Sequence, residues 1–74
     1  FSHREMEIIH MICREYTNAR IAEELSLSKR TIETHRARIM EKIGVSTAVG
    51  LVIYAYTNGL VVPRNYEIVY NKNS

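Results

Sequence analysis

Apolar residues recur three and four positions apart in four successive segments of the chain, which is the spacing of amphipathic α-helices. Residues that favour helix caps stand before each segment, and glycines follow the last two. The pattern therefore predicts an all-α, four-helix, bundle-like domain with helices over residues 3-15, 18-26, 29-43 and 47-58. The predicted N-caps are Ser2, Thr17 or Asn18, Ser28 and Ser46, and Gly44 and Gly59 end the third and fourth helices.

Each predicted helix has one apolar stripe that can face a common core. The first helix opens with Ser2 and Glu5 at the spacing of a capping box. Cys13 lies on the stripe of this helix, so we expect a small core residue rather than a reactive thiol. The expected core stripes are, in chain order, Ile8, Ile9, Ile12, Cys13 and Tyr16; Ile21, Ala22 and Leu25; Ile32, Ile39 and Ile43; and Ala48, Leu51, Val52 and Ala55.

The fourth helix carries a second apolar stripe, formed by Val49, Ile53 and Tyr56. A surface helix of a monomer needs only one such stripe to face its core. The second stripe therefore predicts that this helix meets a partner.

The pattern changes after the fourth helix. Leu60, Val61 and Val62 are apolar and could fold back on the core, whereas Pro63 bars a helix from running through it. We therefore expect one domain over residues 1-60 and a C-terminal extension over 61-74 that is partly disordered.

Length and composition fit one small domain of 74 residues. The sequence has no apolar tract long enough to cross a bilayer and no signal-peptide pattern, so we expect a cytoplasmic protein. A single cysteine suits a reducing compartment. The first residue is Phe1 rather than Met, which suggests a piece of a longer protein.

The formal net charge of +2 is unevenly distributed. Residues 29-42 hold five Lys or Arg and two Glu, a net +3, whereas the rest hold five and six, a net −1. A basic segment on a weakly acidic body indicates a polyanionic partner, although a solvated helix face with internal salt bridges would give the same pattern.

The second and third helices are joined by about three residues, with the apolar Leu27 at the corner. This is the helix-turn-helix arrangement. One helix of such a pair crosses the phosphate backbone, and the other enters the major groove by its N-terminal half. The arrangement predicts duplex DNA as the partner.

The isoleucines of the third helix define its core side, and at about 100° per residue they determine what faces outward. Phosphate contacts supply affinity, whereas base edges supply specificity. Glu33 could accept a hydrogen bond from cytosine N4, and it could also form an ion pair with Arg36 or Lys29. The outward side presents Arg30, Thr34, Ala37 and Glu41, with Glu33 and Arg38 on its flanks, Thr31 and Lys42 on the border near the phosphates, and His35 and Arg36 beside the core stripe.

The N-terminus of the second helix is a second candidate phosphate site. Its free N–H groups and the positive end of its dipole favour an anion, and Arg20 lies in its first turn. Arg20 could instead pair with Glu24, four residues further along the helix.

Longer stretches of the sequence resemble one family. SHREMEIIHMI, TNARIAEELSLSKRTIETHRARIMEKIGV and VIYAYTNGL are similar to the LuxR/NarL-type helix-turn-helix domain, from Phe1 to about Leu60. The resemblance implies a DNA-binding module of bacterial transcription regulators whose third helix reads DNA and whose fourth helix forms the dimer interface. TIETHRARIMEK is closest to the response regulators of two-component systems, which also carry a receiver domain that is phosphorylated on aspartate.

The resemblance also implies residue roles. Glu33, Thr34 and Ala37 would face base edges, while Thr31, His35 and Lys42 would lie near the backbone; His35 could instead be a structural imidazole that hydrogen-bonds a carbonyl. The candidate DNA-binding residues are Asn18, Arg20, Lys29, Arg30, Thr31, Glu33, Thr34, His35, Arg36, Ala37, Arg38 and Lys42. The candidate dimerisation residues are Val49, Gly50, Ile53, Tyr56 and Thr57. The expected partners are double-stranded DNA with two-fold-related half-sites and a second copy of the chain, with RNA polymerase as a further candidate.

The sequence departs from the family pattern at three positions. Glu15 stands where glycine is usual, so the turn from Arg14 to Thr17 is expected to be strained or altered. Arg38 stands where asparagine is common, which adds a charge. Gly50 is a poor helix former, and it would permit close approach of a partner helix.

Other classes of function find little support. The sequence has no Asp, no glycine-rich phosphate loop and no nucleophile with a His and acid partner, so no enzyme and no cofactor are expected. His10 and Cys13 form one close pair of candidate metal ligands, fewer than structural zinc needs. The alternative is a small helical protein-protein interaction module, which would lack a steeply salt-dependent affinity for duplex DNA.

Overall fold

The computed structural model describes residues 1–62, which fold into four helices without a strand in that range. Helix α1 spans His3–Cys13, α2 spans Asn18–Leu25, α3 spans Lys29–Ile43 and α4 spans Ala48–Thr57. The predicted all-α fold is therefore confirmed, with ends displaced by at most two residues. Residues 63–74, for which partial disorder was expected, lie outside the described residues.

Hydroxyl side chains cap all four helices at their N-termini. Ser2 Oγ accepts the Glu5 N–H at 3.1 Å, and the Ser2 N–H donates to Glu5 Oε1 at 2.8 Å, which confirms the predicted capping box. Thr17 and Ser28 cap α2 and α3 in the same N-cap geometry. These bonds satisfy backbone donors that a helix start leaves without partners.

The predicted cap of α4 was wrong by one residue. Thr47, not Ser46, is the N-cap, and its Oγ1 accepts the Gly50 N–H at 3.0 Å. Because α4 begins at Ala48, Thr47 is the residue immediately before the helix and therefore holds the N-cap position.

The four helices share one type of C-terminal ending. A residue with positive φ follows each helix, and the next residue donates its N–H to the carbonyl five positions earlier, as in a Schellman motif. The positive-φ residues are Glu15 (+66°), Ser26 (+56°), Gly44 (+85°) and Gly59 (+71°). The bonds run from Tyr16 to Met11, Leu27 to Ala22, Val45 to Met40 and Leu60 to Ala55, and each donor residue packs its side chain against the core. The expected strained turn at Glu15 is thus confirmed, because a residue with a Cβ occupies the place that glycine occupies after α3.

The core is built mainly from isoleucine. Helix α1 packs on α3 and α4, and α2 packs on α3. Ala48 was wrongly assigned to the core: it is the first residue of α4 and is exposed. The buried apolar residues are Ile8, Ile9, Ile12, Ile21, Ala22, Ile32, Ile39, Leu51, Ala55 and Val61, and Cys13, Tyr16, Leu25, Ile43 and Val52 are partly buried against them.

Burial raises the pKa of the Cys13 thiol above its ordinary value. Because the thiolate is the reactive form of cysteine, this raised pKa makes Cys13 a poor nucleophile at neutral pH. Cys13 therefore behaves as the small, inert residue that the sequence predicts.

Candidate nucleic-acid interface

The turn between α2 and α3 is short and is held at both ends. Ser26 adopts a left-handed conformation with φ of +56°, and Leu27 packs partly buried against the core. Ser28 caps α3, accepting the Thr31 N–H at 3.1 Å, and the hydroxyl oxygens of Ser28 and Thr31 are 2.8 Å apart. The turn therefore fixes where α3 begins, and the two helices have the helix-turn-helix arrangement that the sequence predicts.

Helix α3 has one buried side and one exposed side. Ile32 and Ile39 are fully buried, and Ile43 is half-buried against the core. Thr31, His35 and Arg36 are half-buried along the borders of the buried side. The exposed residues are Lys29, Arg30, Glu33, Thr34, Ala37, Arg38, Glu41 and Lys42. The predicted outward face is therefore open to solvent over its whole length.

Most charged side chains on this exposed face have no partner within the described part of the chain. Lys29, Arg30 and Arg38 form no ion pair or side-chain hydrogen bond there. Glu33 forms neither the pair with Arg36 nor the pair with Lys29 that the sequence left open. The side chains are thus available to a ligand without first breaking an internal contact.

Two polar residues of α3, Thr34 and His35, differ in whether they hydrogen-bond a carbonyl of the chain. The Thr34 hydroxyl donates to the Arg30 carbonyl at 3.1 Å, so it can offer a ligand only its lone pairs and its methyl group. His35 forms no hydrogen bond to a carbonyl within residues 1–62, so the structural tie considered for it is not made there.

Arg20 lies at the N-terminus of α2, beside backbone N–H groups of the first helical turn. The Arg20 guanidinium carbon lies 4.1 Å from the centre of the Tyr16 ring, and Nη2 is 3.5 Å from the Tyr16 hydroxyl. The alternative pair with Glu24 is not formed in the described residues. Stacking on Tyr16 holds Arg20 at this helix end but leaves its charge unneutralised.

Asn18, the first residue of α2, is half-buried. Its side-chain oxygen is buried and accepts no hydrogen bond from any described residue. A phosphate oxygen can only accept a hydrogen bond, so Asn18 would have to contact a phosphate through its amide nitrogen or its backbone N–H.

Lys42 differs from the other cationic residues of α3 because it is already paired. Its Nζ lies 3.0 Å from both carboxylate oxygens of Glu5 and 5.6 Å from the centre of the Phe1 ring. Hydrogen bonds from the Ser2 N–H and from Lys42 lower the pKa of Glu5 from 4.5 to about 2. Sequence reasoning missed this contact because the two residues are 37 positions apart and each already had a local interpretation.

Two of the three residues in the second apolar stripe of α4 lie on the surface, and the third packs partly against the core. Val49 and Ile53 are 68% and 57% exposed, whereas Tyr56 is half-buried. Packing within the chain accounts for glycine at position 50, because a Cβ there would lie 3.1 Å from the Cβ of Val45. The loop that precedes α4 therefore favours glycine at this position, independently of any partner helix.

Residues 1–62 lack both a cluster of metal ligands and a single helix that could span a membrane. No three His, Cys, Asp or Glu side chains gather there in a way that could hold a metal ion. No single helix in this range is long and apolar enough to cross a membrane, although α3 and α4 together, bent by 58°, meet that test by length and composition.

Comparison with known proteins gives consistent matches over most of the chain. The sequence model of the family described as "Bacterial regulatory proteins, luxR family" matches residues 1–55. The chain is 40% identical over 58 residues to the transcriptional regulatory protein MctR of Rhizobium johnstonii, covering 78% of this chain and 27% of that protein. It is 42% identical over 60 residues to the oxygen regulatory protein NreC of Staphylococcus aureus (strain JH9), covering 81% of this chain and 28% of that protein. The chain thus spans a little over a quarter of the length of these relatives.

Proposed function

This chain belongs to the LuxR family of bacterial regulatory proteins, a family of DNA-binding transcription regulators, and we propose that it binds duplex DNA with α3 in the major groove and α4 as its dimer interface. The observation that carries the proposal is the exposed face of α3, on which Lys29, Arg30, Glu33 and Arg38 form no ion pair or side-chain hydrogen bond within residues 1–62. A major groove about 12 Å wide admits one helix with its side chains.

The side chains of the exposed face have different roles in this proposal. Lys29, Arg30 and Arg38 contact phosphates, because their cationic groups have no partner within residues 1–62 and are attracted to the backbone charge. Glu33, Thr34 and Ala37 face base edges: the carboxylate can accept from cytosine N4, and the two methyl groups can contact thymine. Thr31, His35 and Arg36 are half-buried along the borders of the buried side of α3, beside these two sets.

The N-terminus of α2 supplies the second anchor in the proposal. Its first N–H groups and the positive end of its dipole favour a phosphate, and Arg20 is held beside them by Tyr16. Asn18 joins this contact through a donor group. Two anchors on different helices would fix both the position and the tilt of α3 in the groove.

The exposed stripe of α4 forms the dimer contact in the proposal, with Val49 and Ile53 at its centre and Gly50, Tyr56 and Thr57 around them. A two-fold dimer presents two copies of α3 and so reads two related half-sites. The sequence of α3 supports a response regulator of the cytoplasm as the whole protein, with a receiver domain in addition to this one.

Selection of bound duplexes from a random DNA pool tests the proposal first. A paired half-site motif is expected. If no duplex were retained at low salt, the proposal would fail, and the exposed stripe of α4 would instead favour a protein-protein interaction module.

Glu33→Gln and Glu41→Gln form a matched pair for the base-reading role. Both variants remove one negative charge from the exposed face of α3, and both side chains are exposed. Repulsion of phosphates alone would make the two variants alike, whereas base reading predicts that only Glu33→Gln changes the preferred base, by ~1–3 kcal/mol at one position. Equal effects of the two variants on every sequence would contradict this role.

Ile53→Glu tests the dimer contact, and Ile53→Leu is its control. A charge on the centre of an apolar contact should abolish paired half-site binding while the monomer stays folded, because Ile53 contributes little to the core. Leucine keeps the contact apolar and should keep the paired footprint. An unchanged footprint for Ile53→Glu would rule out this face.

A further inference from the structure

Lys42 and Glu5 form a contact between the last turn of α3 and the first turn of α1. We propose that Lys42 is a positioning residue and not a ligand of DNA phosphates. Through Glu5, it fixes the orientation of α3 relative to α1. The inference rests on the proposed function, because it concerns how α3 is presented to DNA.

The first argument is that the ammonium group is already occupied. Lys42 Nζ is 3.0 Å from each Glu5 oxygen, whereas Lys29, Arg30 and Arg38 have no partner in the part of the chain that the structure describes. The lysine side chain is 55% exposed, so solvent reaches it, but the carboxylate beside it cancels its charge. An approaching phosphate would meet a neutral pair instead of a free cation.

The second argument concerns the carboxylate. Glu5 is the only buried charged residue among residues 1–62, with 7% of its surface exposed. One of its oxygens also accepts the Ser2 N–H, so the capping box of α1 and the ion pair share this carboxylate. If Lys42 left for a phosphate, Glu5 would remain buried without a counter-charge, which is unfavourable. Lys42 is therefore held at Glu5 when DNA is absent and when it is bound.

The third argument is mechanical. Helices α1 and α3 pack together and share the apolar core, and apolar packing is not directional. A lysine that bonds both oxygens of one carboxylate adds a directional contact at the C-terminal end of α3. Thr34 lies eight residues before Lys42, or about 12 Å along the helix axis. A small tilt of α3 at Lys42 therefore displaces the side chains proposed to face base edges, and the ion pair opposes that tilt.

The test measures affinity for a selected site and for unrelated duplex DNA across a range of salt concentrations. The variants are Lys42→Met, Glu5→Gln and the double variant, with Lys42→Arg as the conservative rescue and Arg38→Ala as the reference for a phosphate contact. All are measured where circular dichroism shows that they are folded.

The positioning role predicts that Lys42→Met lowers specific affinity by about tenfold with little loss of non-specific affinity, and with the salt slope of the wild type. Glu5→Gln should lower specific affinity by the same factor, although it removes a negative charge. The double variant should bind the selected site no more weakly than either single variant, and Lys42→Arg should restore binding. Arg38→Ala should instead reduce the slope by about 0.9 for all sequences.

Two results would overturn the inference while leaving the proposed function intact. One is a reduced salt slope in Lys42→Met together with normal or tighter binding by Glu5→Gln, which would make Lys42 a phosphate ligand. The other is a loss of thermal stability in both variants with an unchanged ratio of specific to non-specific affinity, which would make the ion pair a stability element only. If the wild-type protein bound no duplex at any salt, the proposed function itself would fail and this inference with it.

Discussion

Replacing Glu15 by glycine should stabilise the domain. Glu15 has a φ of +66°, where the Cβ of an L-residue crowds its own backbone at a cost of roughly 1–2 kcal/mol. Glycine removes that crowding, but it also has more freedom in the unfolded chain, which offsets roughly 0.5–1 kcal/mol. From the midpoints of these ranges, the expected net gain is about 0.75 kcal/mol, or a melting temperature higher by roughly 3–6 °C for a domain of this size. Thermal unfolding followed by circular dichroism measures it.

Glu15→Ala is the matched control, because it removes the same carboxylate but keeps the Cβ. The Glu15 side chain makes no ion pair or hydrogen bond within residues 1–62, so the alanine variant should melt close to the wild type. If alanine raised the melting temperature as much as glycine, the gain would come from losing the charge, and the argument from backbone strain would be refuted.

Three further predictions concern the glycines and the buried carboxylate. Gly44→Ala should lower the free energy of unfolding by about 1 kcal/mol, because alanine is strained at a φ of +85°. Nothing lies within 4 Å of the added Cβ, so backbone strain is the whole effect, and an unchanged melting temperature would contradict it. Gly50→Ala should raise the free energy of unfolding by less than the ~1 kcal/mol expected from helix propensity, because the new Cβ would lie 3.1 Å from the Cβ of Val45. A full gain of that size would show that Val45 can move away without cost. Because folding lowers the pKa of Glu5 from 4.5 to about 2, its contribution to stability is complete above pH 4.5 and is lost as the pH falls towards 2. Glu5→Gln should lack that acid-dependent loss in denaturant titrations at several pH values, and an identical pH profile in both proteins would exclude Glu5 as its source.

The helices of this domain could be predicted from the sequence because each element carries two independent signals. Apolar spacing placed the stripes, and cap residues such as Ser2 and Ser28 placed the starts, so pattern and local chemistry agreed. The strain at Glu15 could also be foreseen, since the position after a helix favours glycine for a reason that does not depend on the rest of the fold. The misplaced cap at Ser46 arose where two neighbouring hydroxyl residues offered the same bond.

Contacts of long side chains could not be predicted in the same way. Arg20 had two partners at equal spacing, Tyr16 before it and Glu24 after it. The structure selects Tyr16, whose ring is already fixed against the core, so stacking on it orders fewer groups than pairing two exposed side chains. Lys42 and Glu5 meet only because α1 and α3 pack together, and no local signal in the sequence reports that packing.

The paired and unpaired charges of α3 bear on the two roles, base contact and ion pair, that the sequence leaves open for Glu33. Its expected internal partners are absent from the described residues, so no ion pair within the domain accounts for a carboxylate on this exposed face. Lys42 is neutralised by Glu5, so the face has less positive charge to spare than the sequence count implies. A carboxylate on this face repels phosphates and so weakens DNA binding, unless it also contributes to discrimination between bases. Glu41 carries the same charge nearer the end of the helix, beyond the N-terminal half that enters a groove. A difference in base preference between Glu33→Gln and Glu41→Gln therefore separates base reading from simple repulsion.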